Sequence, residues 1–377
     1  MSAVLKKSQH DTVGRIFRIY EEKADQAPRP HLGASELGHS CERHLWLSFR
    51  WAKKSTFTGK ILRLFESGNR EEPRLIENLR AIGVEVWDRD ENGKQFNYKF
   101  AGGHGGGSMD GVALGLPEAP KTPHILEFKT SNQKGFDSMA KDGVKKSKPL
   151  HWTQMNVYMG LAGLERAMYL MVNKNTDEIH GERLEFDLDK FNADMQKAGR
   201  VVTATEPLSK VSEDPAWYEC GWCRHKGMCH GTDTPDVNCR TCIHSTAELD
   251  GDGRWSCAWH KRDLSVAEQR AGCEHHRHMP RMLERFAQVV DADMDGNISY
   301  KNTITGNEFS QPALTSQEIT SCNCKEMLGD PFVSAIKEEF GATITAPSSM
   351  ADLKDDLPWE EKAPVKKAWA KKKKEAA

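Results

Sequence analysis

The chain lacks any apolar run long enough to cross a bilayer, and its mean hydropathy is −0.67, so no membrane association is expected. Its first ten residues, Met1 to His10, are polar, carry Lys6 and Lys7, and hold no apolar segment of the kind that directs secretion. A cytoplasmic setting is therefore the default, the host cytoplasm if the protein is phage-encoded. A surplus of one charge sign is also missing: 53 Lys and Arg face 55 Asp and Glu, for a net charge of −2. That excludes a globally basic nucleic-acid binder, and any such surface must be local. No internal repeat of fixed period is visible. The run Gly102-Gly-His-Gly-Gly-Gly107 is not followed by Gly-Lys-Ser/Thr, which excludes a nucleotide-type phosphate loop.

Cysteine, by contrast, is plentiful. Ten cysteines in a chain with no secretory signal argue for metal ligation rather than disulfides. Cys220-x2-Cys223-x5-Cys229 offers three thiols in one turn-rich segment, with His225, His230 or the distant Cys41 to complete a set. Cys239-x2-Cys242, then Cys257 and Cys273, supplies four more. They suit a structural Zn²⁺ in a zinc-ribbon-like unit, with His244, His260, His275 and His276 as substitutes for a late ligand. A second iron–sulfur cluster and buried structural cysteines are the alternatives. Cys322-x-Cys324 reads as ordinary thiols. Asp291-x-Asp293-x-Asp295-Gly296 resembles the start of a calcium loop, but its twelfth position is Asn302, so a turn into a strand at Ile298–Tyr300 is expected.

At 377 residues, two or three folded units are expected. Apolar periodicity places helices at Thr12–Lys23, at Ile61–Ile82 with Leu62, Phe65, Leu75, Ile76 and Leu79 inward, at His151–Leu161, at Asp187–Thr203 and at Pro280–Val290. Ser35 reads as a helix N-cap, Cys41 as lying on or just before a helix, and Lys134 to Lys148 as a basic loop. Strands are expected at Val84–Trp87, Phe96–Phe100, Arg166–Val172 and Ile179–Phe186. Gly107 to Leu116 and His124 to Thr130 flank a Pro-rich turn and read as an antiparallel pair. Alternation then sets Glu127 and Lys129 on one face with Asp110 on the neighbouring strand. Two carboxylates and an ammonium at one sheet edge suit a divalent metal and phosphodiester hydrolysis.

Asp110 followed by Glu127-x-Lys129 resembles the core motif of the PD-(D/E)XK nuclease superfamily. Gly68-x-x-x-Glu72 ahead of it, with Glu71 as the neighbouring candidate, and Gln154-x-x-x-Tyr158 behind it resemble the RecB-like and lambda-exonuclease-like branch. The resemblance implies a restriction-endonuclease-like mixed α/β sheet flanked by helices. It also implies Mg²⁺ or Mn²⁺ held by Asp110, Glu127, the Phe128 carbonyl and Glu72, with Lys129 orienting or deprotonating the attacking water. Gln154 and Tyr158 would grip the DNA backbone or brace the lysine. One cysteine before this core and three after it, with Ser35-x-x-Gly-x-x-Cys41-x-Arg43, resembles the iron–sulfur nucleases (AddB-type helicase-nucleases and the CRISPR-adaptation exonucleases). That implies a 4Fe–4S cluster on Cys41, Cys220, Cys223 and Cys229.

The expected organisation is a nuclease domain over 1–231, a Cys-rich accessory domain over 232–346, and a Lys-rich disordered tail over 347–377. The expected activity is a metal-dependent DNA exonuclease acting on linear ends in phage or bacterial recombination and repair, beside a strand-annealing or single-stranded-DNA-binding protein. The alternatives are a structure-specific endonuclease or nickase on the same core, and a non-catalytic DNA-binding protein of nuclease-like fold.

Overall fold

The computed structural model describes residues 12–346; the basic tail and the polar N-terminal stretch lie outside the described residues. The chain is mixed α/β. A five-stranded sheet runs in the order Glu85–Trp87, Gly111–Leu114, His124–Ser131, Arg166–Asn173, Ile179–Glu185. The two middle strands are parallel, joined through the helix Pro149–Ala162, and every other neighbouring pair is antiparallel. His124–Ser131 is central, and its first five residues are all buried because both faces are covered. On one face Ile125 packs with Met155 and Tyr158 of the Pro149–Ala162 helix. On the other, Leu126 and Phe128 meet Leu75, Ile76 and Leu79 of the long helix Gly59–Ala81. That long helix crosses the central strand at Gly68, where an added methyl would lie 3.9 Å from Thr130 Oγ1.

Helices form where expected at Thr12–Lys23, Gly59–Ala81, Pro149–Ala162 and Leu188–Thr203; the third is buried all round from Trp152 to Met159, and Asp187 caps the last by accepting from Lys190 N. Among the described residues no helix is long and apolar enough to cross a membrane. Several expectations need correction. Gly105–Ser108 does not continue into Gly111–Leu114; it belongs to another sheet, parallel to Leu32–Gly33 and antiparallel to Asn97–Phe100. Asp110 therefore sits in the break between two strands rather than within one. Gly33, not Ser35, precedes the short helix Ala34–Leu37, and Ser35 lies inside it. The lysine-rich stretch is helical at Gln133–Asp142 and Val144–Ser147. Pro280–Val290 is no helix: a single 3-10 turn is followed by a strand, Ala287–Ala292, paired with Ile298–Asn302 across the aspartate-rich turn. Ala287, Val289 and Val290 carry no helical commitment of their own, and the cross-strand partner decides their conformation.

The glycine run of residues 102–107 also finds its reason. Gly103, with φ of +83°, lies against a second backbone: an added methyl would meet Gly251 O and Gly253 N at 2.4 Å. Gly253 N donates to Gly102 O at 3.0 Å and His104 Nε2 pairs with Glu248 O at 2.6 Å. The hairpin of Ser245–Ala247 and Trp255–Cys257 is thereby seated on the first half of the chain. Arg240 completes the seat. It is 1 % exposed, stacks 3.8 Å from the Trp51 ring, and donates to Pro30 O, Phe49 O and Gln269 Oε1 at 2.8, 3.0 and 2.9 Å.

Candidate functional site

Alternation along His124–Ser131 sends Glu127 and Lys129 to the same face, toward the Pro149–Ala162 helix. Glu127 is fully buried. Lys129 Nζ donates to its Oε1 and, at 3.2 Å, to Phe128 O; Gln154 Nε2 donates to its Oε2 at 3.2 Å. Asp110 arrives from the strand break, where its Oδ2 accepts from Phe128 N at 2.8 Å, an anchor to the backbone of the strand that carries Glu127. Gln154 and Tyr158, one helical turn apart, share this face. The Tyr158 hydroxyl fills the space where a methyl on Gly107 would be, 2.3 Å away.

Burial pushes the Glu127 carboxyl up to about 7, with Lys129 opposing and Asp110 adding to the shift. Asp110 is likewise raised by burial, with Lys129 and the Phe128 amide opposing. Burial works against the Lys129 charge, yet Glu127 and Asp110 outweigh it and its pKa is raised. Glu72 joins the group electrostatically: burial and then Asp110 raise its pKa, while Lys129 and its contact from Gln95 Nε2, at 3.4 Å, oppose. Glu71 turns instead to Arg74, at 3.4 Å. Of the two glutamates, Glu72 is the one coupled electrostatically to Asp110 and Lys129.

The structure brings Glu72, Asp110, Glu127, Lys129, Gln154 and Tyr158 together. Hard carboxylate oxygens in mutual repulsion suit Mg²⁺ or Mn²⁺. Two of the acceptor positions a cation would use are engaged by protein donors, the Lys129 ammonium on Glu127 and the Phe128 amide on Asp110. Among the described residues, neither this cluster nor either cysteine set has three His, Cys, Asp or Glu at metal-ligating spacing. Sequence reading missed Arg29, His31 and His151, which line the same cleft as Lys129 and Tyr158. His151 rests on Tyr169 OH at 2.8 Å, and burial followed by the Lys129 and Lys148 charges lowers its pKa to about 3, so it is neutral. The Pro28 and Pro30 break was the one signal beside Arg29.

The two cysteine sets are each gathered as well. Cys41, Cys220, Cys223 and Cys229 surround one small cavity of about 20 Å³ together with His44 and His230. Cys41 caps the helix Glu42–Phe49, its Sγ accepting from His44 N at 3.4 Å, and His44 Nδ1 lies 3.4 Å from Cys223 Sγ. Cys239, Cys242, Cys257 and Cys273 line a cavity of about 120 Å³ with His244, His260, His275 and His276. Burial and the neighbouring thiols push Cys239 up to about 12; burial, partly opposed by Arg43, pushes Cys229 to about 11. Such thiols hold their protons unless a cation displaces them. Cys322 and Cys324 are free thiols.

No protein-family model and no curated protein matches this chain. Among solved structures it is similar to SSO0001, at 14 % identity and a TM-score of 0.35, over 59 % of this chain and 98 % of that one. It is also similar to the alkaline exonuclease LHK-Exo from Laribacter hongkongensis, alone and in complex with dAMP, each at 14 % identity and a TM-score of 0.34, over 50 % of this chain and 90 % of that one.

Proposed function

We propose that the protein is a metal-dependent nuclease that hydrolyses DNA phosphodiesters, an exonuclease acting on linear ends in recombination or repair. The observation that carries the reading is the convergence of Asp110, Glu127, Lys129 and Gln154 on one buried strand face, with Glu72 beside them. Asp110, Glu127, Glu72 and the Phe128 carbonyl are the residues that would hold Mg²⁺ or Mn²⁺, which when bound supplies Lewis-acid charge and a more acidic water. With carboxylates as neighbours Lys129 remains an ammonium near neutral pH. That favours orienting the water and balancing charge on the phosphate over removing a proton. Gln154 fixes the Glu127 carboxylate, and Tyr158 closes the cleft wall. A water oxygen forms the new P–O bond, the ester P–O bond breaks, and the leaving oxygen takes up a proton.

Cleavage of linear DNA, with blocked ends resistant and covalently closed circles intact, is the expected pattern; cut circles would move the reading to an endonuclease on the same core. Asp110→Ala and Lys129→Ala are each expected to reduce cleavage by at least about 10²-fold. Unchanged rates in either would falsify the site.

For Cys239, Cys242, Cys257 and Cys273, beside the three-stranded sheet of Ser245–Ala247, Trp255–Cys257 and Arg262–Leu264, structural Zn²⁺ is the reading that the donor chemistry suits. For Cys41, Cys220, Cys223 and Cys229, a four-thiol donor set suits a 4Fe–4S cluster. A second reading is Zn²⁺ there too, with His44 and His230 at the same cavity as alternative donors. Anaerobically prepared protein that is brown, with about four iron atoms per chain, supports the cluster; a colourless protein with zinc alone supports the second reading.

A further inference from the structure

The cleft beside the candidate site is lined by Lys129, Gln154 and Tyr158. It has a volume of about 530 Å³, and Arg29 and His31 form part of its wall. The same two side chains line a second cleft of about 330 Å³ that reaches Phe57, Phe65 and Arg224. The two clefts therefore share Arg29 and His31 as a common wall. In the second, Phe57 and Phe65 meet edge to face with ring centroids 5.1 Å apart. They are 40 % and 47 % exposed, which is no core position. Arg29 and Arg224 donate to the hydroxyls of Ser35 and Ser55, at 3.5 and 3.0 Å, leaving both guanidinium charges uncommitted to a carboxylate in those contacts.

The lining also includes the carboxylates Asp25 and Glu36. A duplex presents phosphates outward and keeps its bases stacked on one another, so it would call for an evenly basic wall and gain nothing from exposed rings. An unpaired strand offers base faces to aromatics and needs cations only where its backbone passes. We propose that the second cleft holds unpaired bases of a DNA single strand, stacked at Phe57 and Phe65, whose backbone passes Arg29 and His31 on its way to the candidate site. The nuclease reading enters only as the identity of the site to which the strand leads.

The test measures binding of fluorescent oligothymidylate and of a duplex of equal length to the Asp110→Ala protein in chelator, where nothing can be cut. The single strand is expected to bind more tightly. Phe57→Ala/Phe65→Ala should weaken that binding on the order of tenfold or more and leave duplex binding unchanged. Arg224→Gln should lower the salt dependence of single-strand binding. Melting curves check folding, and single Phe57→Ala keeps the measurement available if the double variant unfolds. The proposal is overturned if the Phe variants bind oligothymidylate as the parent does, or if duplex is preferred. It is equally overturned if the Phe pair instead controls sedimentation mass with binding intact, which would assign the rings to a second copy of the chain. Should wild-type protein with Mg²⁺ or Mn²⁺ cut no DNA while binding behaves as expected, the nuclease reading falls and the strand-binding cleft stands.

Discussion

Glu127 shows how much a single buried carboxyl controls. Its ordinary value of 4.5 is raised to about 7 in the folded chain, chiefly by burial. Below pH 4.5 it is protonated in both states and costs nothing. As pH climbs from 4.5 to 7 the unfolded chain ionises first, and the folded state loses on the order of 3 kcal/mol. Metal-stripped protein is therefore expected to melt at lower temperature at pH 7.5 than at pH 5.5, and Glu127→Gln should flatten that slope. The raised Lys129 acts in the opposite sense, contributing stability that is lost only in strongly alkaline solution. A cation held by the Glu127 carboxylate competes with its proton, so metal affinity should rise with pH as that carboxyl ionises. Calorimetry of Mg²⁺ or Mn²⁺ binding in buffers of different ionisation enthalpy should register proton release at pH 6.5.

Among the elements, the two glycines of the site make a matched pair. A methyl on Gly107 would lie 2.3 Å from the Tyr158 hydroxyl, whereas one on Gly68 would lie 3.9 Å from Thr130 Oγ1. Gly107→Ala should therefore displace Tyr158 and lower cleavage by about tenfold or more, the scale of a misplaced cleft wall. Gly68→Ala should leave activity unchanged and, in a helix interior, stabilise by roughly 0.5–1 kcal/mol. Both read out in one assay plus one melt. The elements that sequence made legible are those whose pattern is set locally: the Gly59–Ala81 and Leu188–Thr203 helices by amphipathic spacing, the central strand by a short apolar run after a Pro-rich turn. Illegible were the features fixed by distant partners. Ala287–Ala292 takes its form from Ile298–Asn302, Gly105–Ser108 from Leu32–Gly33 and Asn97–Phe100. The candidate site divides the same way: Asp110, Glu127 and Lys129 are marked by motif, while the coupling of Glu72 to Asp110 and the placing of Arg29, His31 and His151 on the cleft wall come only from packing.

Over the whole molecule, the strongest tie between early and late sequence is cationic. Arg240 and Arg50 are both buried, and both face Trp255, at 4.7 and 5.6 Å. Arg50 donates to Arg240 O at 3.1 Å and Ala204 O at 2.9 Å, and Trp46 Nε1 donates to Ala204 O at 2.8 Å. Carbonyls and ring faces balance these charges here. Burial, with Arg50 and Arg270 adding, holds the Arg240 pKa well below its usual range. Arg240→Ala would leave the carbonyls of Pro30 and Phe49 without their donor and open a cavity beneath Trp51, a loss of about 3 kcal/mol or more. Arg240→Lys should recover little, because one ammonium cannot match the planar fork that reaches three acceptors. Denaturant titration of both variants checks this.

The same contact also sets an order of events. Leu32, Phe49 and Trp51 belong to the first sixth of the chain, yet Arg240 and Trp255, the groups that cover Phe49 and Trp51, are made about two hundred residues later. During synthesis those rings emerge from the ribosome long before their cover exists, at rates of roughly 5–20 residues per second. For some ten seconds or more they are exposed greasy surface. In a newborn chain Phe49 and Trp51 thus stay without that cover until residue 255 has cleared the exit tunnel.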